Sequence, residues 1–91
     1  MELLDESTID AAIASGPWER QGDSLVRKVN RGDFAGSLAY VNQVGDLAEK
    51  RNHHPDIAIS WATVTLTLST HSAGGITQND LDLARAIDGL D

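Results

Sequence analysis

Three histidines are the residues of this chain best suited to proton chemistry near neutral pH. His53 and His54 stand side by side before Pro55 in "EKRNHHPDIAISW", and His71 stands in "LTLSTHSAGG". Imidazole has an unperturbed pKa of about 6.5, so it can both donate and accept a proton at neutral pH. Both segments fall at breaks between predicted regular elements. Three imidazoles in one pocket would favour acid–base catalysis on a neutral or weakly charged substrate.

The first third of the chain is predicted to form a helix and a hairpin. Asp5 can cap a helix that runs to about residue 15 and ends at Gly16-Pro17. "WERQ" and "SLVRKV" flank the turn residues "QGD" and predict two paired strands. Arg27 and Lys28 weaken the alternation of the second strand.

A long helix is predicted to lead into the first histidine segment. Asp33 can cap it, and helical spacing continues to about Arg51. The helix must end before Pro55, because a residue that precedes proline avoids the helical conformation. Gly45 lies inside this helix and is expected to allow close approach of another backbone. The apolar residues expected on its core face are Phe34, Leu38, Val41, Val44 and Ala48, with Leu47 beside them.

A second hairpin and a last helix complete the predicted fold. "DIAIS" and "TVTLTLST" alternate as strands with one buried face, joined at Trp61-Ala62, and Thr77 caps a helix that runs to about Leu90. The order αββαββα predicts one α+β domain over residues 1–91, with a four-stranded antiparallel sheet and three helices packed on one face. Because paired antiparallel strands bring the start of one to the end of the other, the two histidine segments can meet at one end of the sheet.

Composition narrows the function classes. A chain of 91 residues has room for one small domain, and its net charge of −7 disfavours nucleic acid and anionic membranes as partners. The absence of cysteine excludes disulfides and thiol catalysis and fits a cytoplasmic location. The N-terminus is acidic, unlike a signal peptide, and no apolar stretch approaches the roughly 20 residues of a membrane span. Open sheet edges predict pairing with a second copy.

The spacing of these residues resembles the signature of pterin-4a-carbinolamine dehydratases. The sequence segments "AEKRNHHP", "LTLSTH" and "GGITQNDLDLA" are similar to the corresponding segments of the family. Trp18 matches a family tryptophan that lies beside the pocket. The resemblance extends from about Asp5 to Leu90. The positions that match in order and spacing are Glu49, His53, His54, Pro55, Trp61, His71 and Asp80.

The resemblance implies a reaction and an assembly. The family removes water from 4a-hydroxytetrahydropterin, the product of aromatic amino acid hydroxylases, and yields quinonoid dihydropterin for tetrahydrobiopterin recycling. It uses no metal and no organic cofactor. Its dimers join sheets edge to edge, and some pair into tetramers, so a homodimer or homotetramer and a functional link to a hydroxylase are expected here. Animal relatives that stabilise a transcription-factor dimer, and relatives that assist assembly of a carbon-fixing enzyme, leave a non-catalytic role as the alternative.

The resemblance also implies roles for residues. His53 and His71 are expected to be the acid–base pair, with His54 binding the pterin and contributing to proton transfer. Asp80 and Glu49 are expected to hold or polarise the histidines, supported by Trp18, Pro55 and Trp61. Relatives often carry an acidic residue where this chain has Ser72. The residues expected to contact the pterin are Asn52, His53, His54, Ser69, Thr70, His71 and Ser72.

Each of these residues also has a simpler interpretation. A histidine pair suits the C-terminus of a helix, and Asp80 suits the first turn of the last helix as a capping residue. Glu49 can be a solvated helix acid, and the two tryptophans can be packing residues. Three histidines with a carboxylate form a valid zinc set, but "HHP" lacks the helical spacing of common histidine pairs, so no metal is expected.

Overall fold

The structure, a computed structural model, describes residues 2–91 as three helices and one antiparallel sheet. The strand order in the sheet is β1-β2-β4-β3. This arrangement confirms the predicted α+β class and the order αββαββα. The elements are α1 (Glu6–Ile13), β1 (Glu19–Gln21), β2 (Ser24–Asn30), α2 (Phe34–Arg51), β3 (Asp56–Ser60), β4 (Thr63–Leu68) and α3 (Gln78–Asp88), with a short 3₁₀ turn at His71–Ala73.

The three predicted helix caps are confirmed by the structure. Asp5 accepts a hydrogen bond from the Thr8 amide at 2.8 Å, and Asp33 accepts one from the Gly36 amide at 2.7 Å. Thr77 is the residue that precedes α3. The Asp5 and Asp33 side chains satisfy amides that have no partner within the helix, and all three helices begin directly after the predicted capping residue.

The core lies between the helices and one face of the sheet. Val64, Leu66 and Leu68 of β4 are fully buried, as their alternation predicted. Leu81, Ala84 and Ile87 of α3 are also buried, again as predicted.

Arg27 explains the irregular alternation of β2. It pairs directly with Leu66 in the sheet register, so its side chain lies in the buried row. The guanidinium donates to Asp88 at 2.6 Å and also to Asp91, near the C-terminus of α3. A buried arginine is tolerated when carboxylates pair with it, and this one ties the end of α3 to the centre of the sheet.

The predicted core face of α2 is wrong at its N-terminal end. Phe34 and Leu38 are 50% and 44% exposed, whereas Ser37 and Tyr40 are buried beside Val44. The buried row and the apolar row recur with the same helical period, so spacing alone does not establish which row faces the sheet. A hydrogen bond from the Ser37 hydroxyl to the Trp61 carbonyl, at 2.7 Å, holds the observed row inward.

Two smaller expectations are also wrong. Outside its own helical turn and chain neighbours, no atom of residues 2–91 lies within 4 Å of a Cβ built on Gly45, so this glycine allows no close approach of another of these segments. Ile57 of β3 is 37% exposed, because β3 is an edge strand and its inner face is only partly covered. Within residues 2–91, no helix has both the length and the apolar character needed to cross a membrane.

Tyr40→Phe tests the buried phenol of α2. Its hydroxyl has no hydrogen-bond partner among residues 2–91, so removal is expected to change the free energy of unfolding at neutral pH by no more than about 1 kcal/mol. Burial raises the pKa of Tyr40 above its unfolded value of about 10. Wild type should therefore lose stability as pH rises above about 10 and through the folded pKa, a loss that the variant lacks. Urea unfolding of both proteins across this pH range measures the difference, and an equal alkaline loss in the two would contradict the prediction.

Candidate active site

The first histidine pair is placed by the end of α2. Asn52 adopts a left-handed conformation with φ of 49°, and its amide donates to the carbonyls of Ala48 and Glu49. The His53 amide donates to the Ala48 carbonyl at 3.1 Å. This αL cap ends the helix at Arg51, so that two residues separate the cap from Pro55, and it turns the chain sharply. His53 and His54 therefore leave the helix side by side.

The third histidine is placed by a closed loop after β4. Thr70 and Gly75 form an isolated antiparallel bridge, with the Thr70 amide donating to the Gly75 carbonyl at 2.8 Å. Inside the bridge, His71 begins a single 3₁₀ turn that ends at Gly74, which has φ of 76°. The bridge holds this short segment against the end of the sheet, so His71 stays close to the strand that precedes it.

The sheet register brings the two segments together. Asp56 at the start of β3 pairs with Thr67 near the end of β4, so both histidine segments lie at one end of the sheet. A shallow cavity of about 250 Å³ lies between them. The residues that line it are Asn52, His53, His54, Ser69, Thr70, His71 and Ser72. These are the seven residues for which the family resemblance implied pterin contacts.

A buried carboxylate holds His53. Asp80 is fully buried at the start of α3, and its Oδ1 lies 2.5 Å from His53 Nε2. Its Oδ2 accepts from the Thr77 amide at 2.9 Å and from the Thr70 hydroxyl at 2.8 Å. The two roles weighed for Asp80, helix capping and support of a histidine, are therefore served by its two different oxygens.

These contacts determine the tautomer of neutral His53. A carboxylate only accepts hydrogen bonds, so the proton in the contact between Asp80 and His53 belongs to Nε2. The other ring nitrogen, Nδ1, then carries the lone pair. His53 is thus arranged to accept a proton on Nδ1, and its side chain is 13% exposed at the cavity.

The other two histidines are in different environments. His54 Nε2 contacts the Glu49 carboxylate, but both side chains are more than half exposed. His71 is exposed, and its ring nitrogens have no hydrogen-bond partner within the described residues. The imidazole of His53 is thus held by a buried carboxylate, and that of His54 is paired at the surface. The imidazole of His71 is free to adjust to a ligand.

Two hydroxyls of the cavity are engaged within the protein. Ser69 Oγ donates to the Asp23 carbonyl at 2.9 Å, and Thr70 Oγ1 donates to Asp80. These residues therefore offer a ligand their main-chain groups rather than their hydroxyls. Thr77, whose Oγ1 lies 2.8 Å from Thr70 Oγ1, was expected only as a helix cap. The sequence signal that places it here is "TQND", which puts Thr77 three residues before Asp80.

The structure does not bring the two tryptophans to the cavity. Trp18 is buried in the core, and its Nε1 donates to Asp88 at 2.8 Å, near the opposite end of α3 from Asp80. Trp61 lies in the β3–β4 turn, at the other end of that hairpin from the histidines, and is 71% exposed. Within one chain, neither tryptophan lines the cavity, so a supporting role at the site is not seen there. Trp18 is a packing residue.

Other candidate sites are weaker. A larger groove of about 360 Å³, on the sheet face away from the helices, is lined by Pro17, Glu19, Gln21, Val26 and Lys28 and has no histidine. Within residues 2–91, no group of three acidic or histidine side chains is arranged to hold a metal ion. The cavity between the histidine segments is therefore the site with the richest proton chemistry.

Comparison with protein families agrees with this geometry. The family model described as "Pterin 4 alpha carbinolamine dehydratase" matches residues 2–90. Relatives from Nocardia farcinica and Thermosynechococcus vestitus, both named "Putative pterin-4-alpha-carbinolamine dehydratase", are 51% and 48% identical to this chain. Each alignment covers 98% of this chain and 95% of the relative. These matches confirm the resemblance that the histidine spacing indicated.

Solved structures share the fold. The "transcriptional coactivator/pterin dehydratase from Brucella Melitensis" is similar with a TM-score of 0.89 and 29% identity, over 96% of each chain. A "pterin dehydratase-like protein" described as "a RuBisCO assembly factor in the alpha-carboxysome" has a TM-score of 0.69 and 24% identity. The second alignment covers 84% of this chain and 90% of the other, and it shows a likeness of fold alone.

The two contacts between histidine and carboxylate should differ in their effect on stability. Asp80→Ala leaves the Thr70 hydroxyl and the Thr77 amide buried without an acceptor, which should lower the free energy of unfolding by about 3 kcal/mol. Glu49→Ala removes an exposed pair and should cost less than about 1 kcal/mol. Urea unfolding at neutral pH measures both, and equal effects would show that the burial of Asp80 does not determine its role.

Proposed function

We propose a reaction for this chain, which belongs to the Pterin 4 alpha carbinolamine dehydratase family. The reaction is the dehydration of a 4a-hydroxytetrahydropterin to a quinonoid dihydropterin, a lyase step that recycles the pterin released by an aromatic amino acid hydroxylase. The observation that carries the proposal is that three imidazoles line one cavity. Proton transfer by these side chains requires no metal or organic cofactor.

His53 and His71 divide the two proton transfers. His71, in its protonated form, gives a proton to the 4a-hydroxyl group. The C4a–O bond then breaks, and its electron pair leaves with the oxygen as water. A ring nitrogen of the pterin forms a double bond to C4a and loses its N–H proton to Nδ1 of His53. The substrate loses one water, and one proton has passed from His71 to His53.

The difference in environment supports this assignment. His53 has Nε2 directed to Asp80, so Nδ1 is its only nitrogen free to act as the base. His71 is exposed, and no side chain within residues 2–91 forms a hydrogen bond with its ring, so it can exchange protons with water between turnovers. This exchange is needed because each turnover leaves His71 without its proton and His53 with an extra one.

His54 and the main chain of the loops hold the substrate. His54, paired with Glu49 at the mouth of the cavity, contacts the pterin and assists proton transfer. Main-chain groups of Asn52 and of the segment from Ser69 to Ser72 pair with the pyrimidine edge. The cavity of about 250 Å³ is slightly below the roughly 300–1,000 Å³ typical of small-molecule sites, which suits a flat ring that enters with its substituent outside.

A non-catalytic role in binding or assembly is the second candidate. It is favoured by an exposed apolar row on α2, formed by Phe34 and Leu38, with Trp61 beside the start of the same helix. Exposed rows of this kind commonly mark protein contacts. The Brucella melitensis relative is described as a transcriptional coactivator as well as a pterin dehydratase. A contact surface on α2 and a reaction at the histidines can exist on one molecule.

The chain is proposed to form a homodimer, or a homotetramer built from dimers, through its sheet edges. The edges are β1 and β3. β3 is the longer of the two, with five residues against three, and it exposes Ile57. An edge strand with unpaired backbone groups and exposed apolar side chains is a template for a second copy.

Replacement of either proposed acid–base residue should impair dehydration. His53→Ala and His71→Ala are each expected to lower kcat/KM by about 10²-fold or more, because positioned acid–base groups typically contribute ~10²–10⁴-fold. Stopped-flow absorbance of freshly generated carbinolamine measures the rate against the spontaneous reaction in buffer.

Lys28→Ala, in the larger groove on the opposite sheet face, is the matched control and should keep the wild-type rate. If the folded wild type is no faster than buffer, the chain is not this enzyme and the binding role remains. If both histidine variants retain full activity, the acid–base assignment is wrong.

Ile57→Lys should shift the assembly towards monomers if β3 forms the interface, because a lysine on an edge strand opposes pairing. Phe34→Ala, which alters the exposed row on α2, is the comparison variant and should leave the mass unchanged. Sedimentation equilibrium of wild type and both variants at micromolar concentration measures the mass. A monomeric wild type would exclude the proposed dimer, and dissociation by Phe34→Ala alone would move the interface to α2.

A further inference from the structure

Two threonines behind the cavity form a directed chain of hydroxyl groups. Thr77 and Asp80 are fully buried, and Thr70 is 8% exposed. Thr70 Oγ1 lies 2.8 Å from Asp80 Oδ2 and 2.8 Å from Thr77 Oγ1. A hydroxyl has one hydrogen to donate, and that of Thr70 is donated to the carboxylate. Thr77 must therefore be the donor to Thr70, and the chain runs from Thr77 through Thr70 to Asp80.

The same carboxylate faces His53 with its other oxygen. Every donor to Asp80 draws electron density from it and weakens its acceptance of the bond from His53 Nε2. A hydroxyl that accepts a hydrogen bond also donates more strongly. The hydroxyl of Thr77 therefore acts on His53 through Thr70 and Asp80, although it does not contact the ring.

Thr70 also determines where His71 stands. Its amide donates to the Gly75 carbonyl, and its own carbonyl accepts from the amides of Ala73 at 3.0 Å and Gly74 at 2.9 Å. These bonds close the short loop that begins with His71. Thr70 therefore contacts, with its side chain, the carboxylate that holds His53, and its main chain leads directly into His71.

We propose that Thr70 and Thr77 are positioning residues that set the basicity of His53 through Asp80 and set the separation of His53 from His71. The catalytic consequence rests on the proposed dehydratase function, whereas the effect on the His53 ring does not. Thr70 lies in a segment expected to contact the pterin through main-chain groups, and its hydroxyl is used within the protein, where it donates to Asp80. A valine of the same shape would fill the same space without a hydroxyl, so packing and positioning can be separated.

The test uses threonine-to-valine variants and nuclear magnetic resonance of the histidine rings. Without the Thr70 hydroxyl, Asp80 accepts more strongly from His53, so the Hε2 resonance of His53 should move downfield in Thr70→Val. Thr77→Val should move it in the same direction by a smaller amount, since it acts one bond further away. Thr70→Ser and Thr77→Ser keep the hydroxyl and should restore the wild-type spectrum.

Two further variants calibrate the spectra. Thr65→Val makes the same substitution on the opposite face of β4 and should leave the His53 resonance unchanged. Asp80→Asn should reverse the tautomer, because the Thr77 amide and the Thr70 hydroxyl require the amide oxygen as their acceptor, which leaves the NH2 group to donate to Nε2. A two-bond proton–nitrogen correlation spectrum shows which ring nitrogen of His53 carries the hydrogen.

Kinetics supply the catalytic readout. Thr70→Val is expected to lower kcat by about tenfold with KM within about twofold of wild type, as for other groups that orient a reacting side chain. The limb of the pH–rate profile that depends on the base should move to higher pH, because the base has become stronger. A purely structural role would lower activity without moving this limb.

The outcomes separate the two proposals. If folded Thr70→Val keeps the wild-type His53 resonance and the wild-type pH profile, the positioning role is refuted, even if activity falls. If wild type does not dehydrate the carbinolamine, the proposed function fails, but the series of His53 resonances still decides the role of the hydroxyls.

The wild-type spectrum provides a test if the valine variants do not fold. Buried, hydrogen-bonded hydroxyl protons exchange slowly with water, so those of Thr70 and Thr77 should both be visible, and the Thr70 proton should be close to Asp80. Fast exchange of both protons would overturn the inference.

Discussion

The burial of the Asp80 carboxylate is the constraint on which the site depends. An ionised group removed from water is tolerated only when donors surround it, and Asp80 accepts from His53, Thr70 and Thr77. These donors come from three different places in the fold, namely the end of α2, the end of β4 and the start of α3. Satisfying one carboxylate thus brings together the segments that carry the histidines.

The sheet and α3 together form a frame that fixes the positions of the two histidine segments. Asp80 secures the first turn of α3, and Asp88 in its last turn accepts from both Arg27 and Trp18. The helix is therefore bonded at both ends to residues of the sheet or of the loops beside it. A helix held in this way cannot slide along the sheet without the loss of buried hydrogen bonds at both ends. The position of His53 relative to His71 is consequently a property of the whole frame and not of the two loops alone.

The three imidazoles are chemically different although they line one cavity. His53 is held by a buried carboxylate, His54 by an exposed one, and His71 by none within the described residues. Burial strengthens the first contact because little water competes for it, whereas the second is largely screened. Identical side chains can in this way take different parts in the proposed reaction, because their surroundings differ.

The sequence by itself determined the order of the elements, the capping residues and the two histidine segments. Capping, turn and alternation signals act between near neighbours, so they can be recognised without knowledge of the fold. That the two histidine segments can meet follows from their positions beside paired antiparallel strands, whereas the seven residues that line the cavity were expected from the resemblance to the family. The tertiary structure alone decided which row of α2 faces the sheet and that the Arg27 side chain points inward. It also decided that Trp18 and Trp61 lie away from the cavity, and that Thr77 joins the hydrogen bonds around Asp80. Each of these depends on contacts between residues distant in the chain, and helical spacing supplies a period but no orientation.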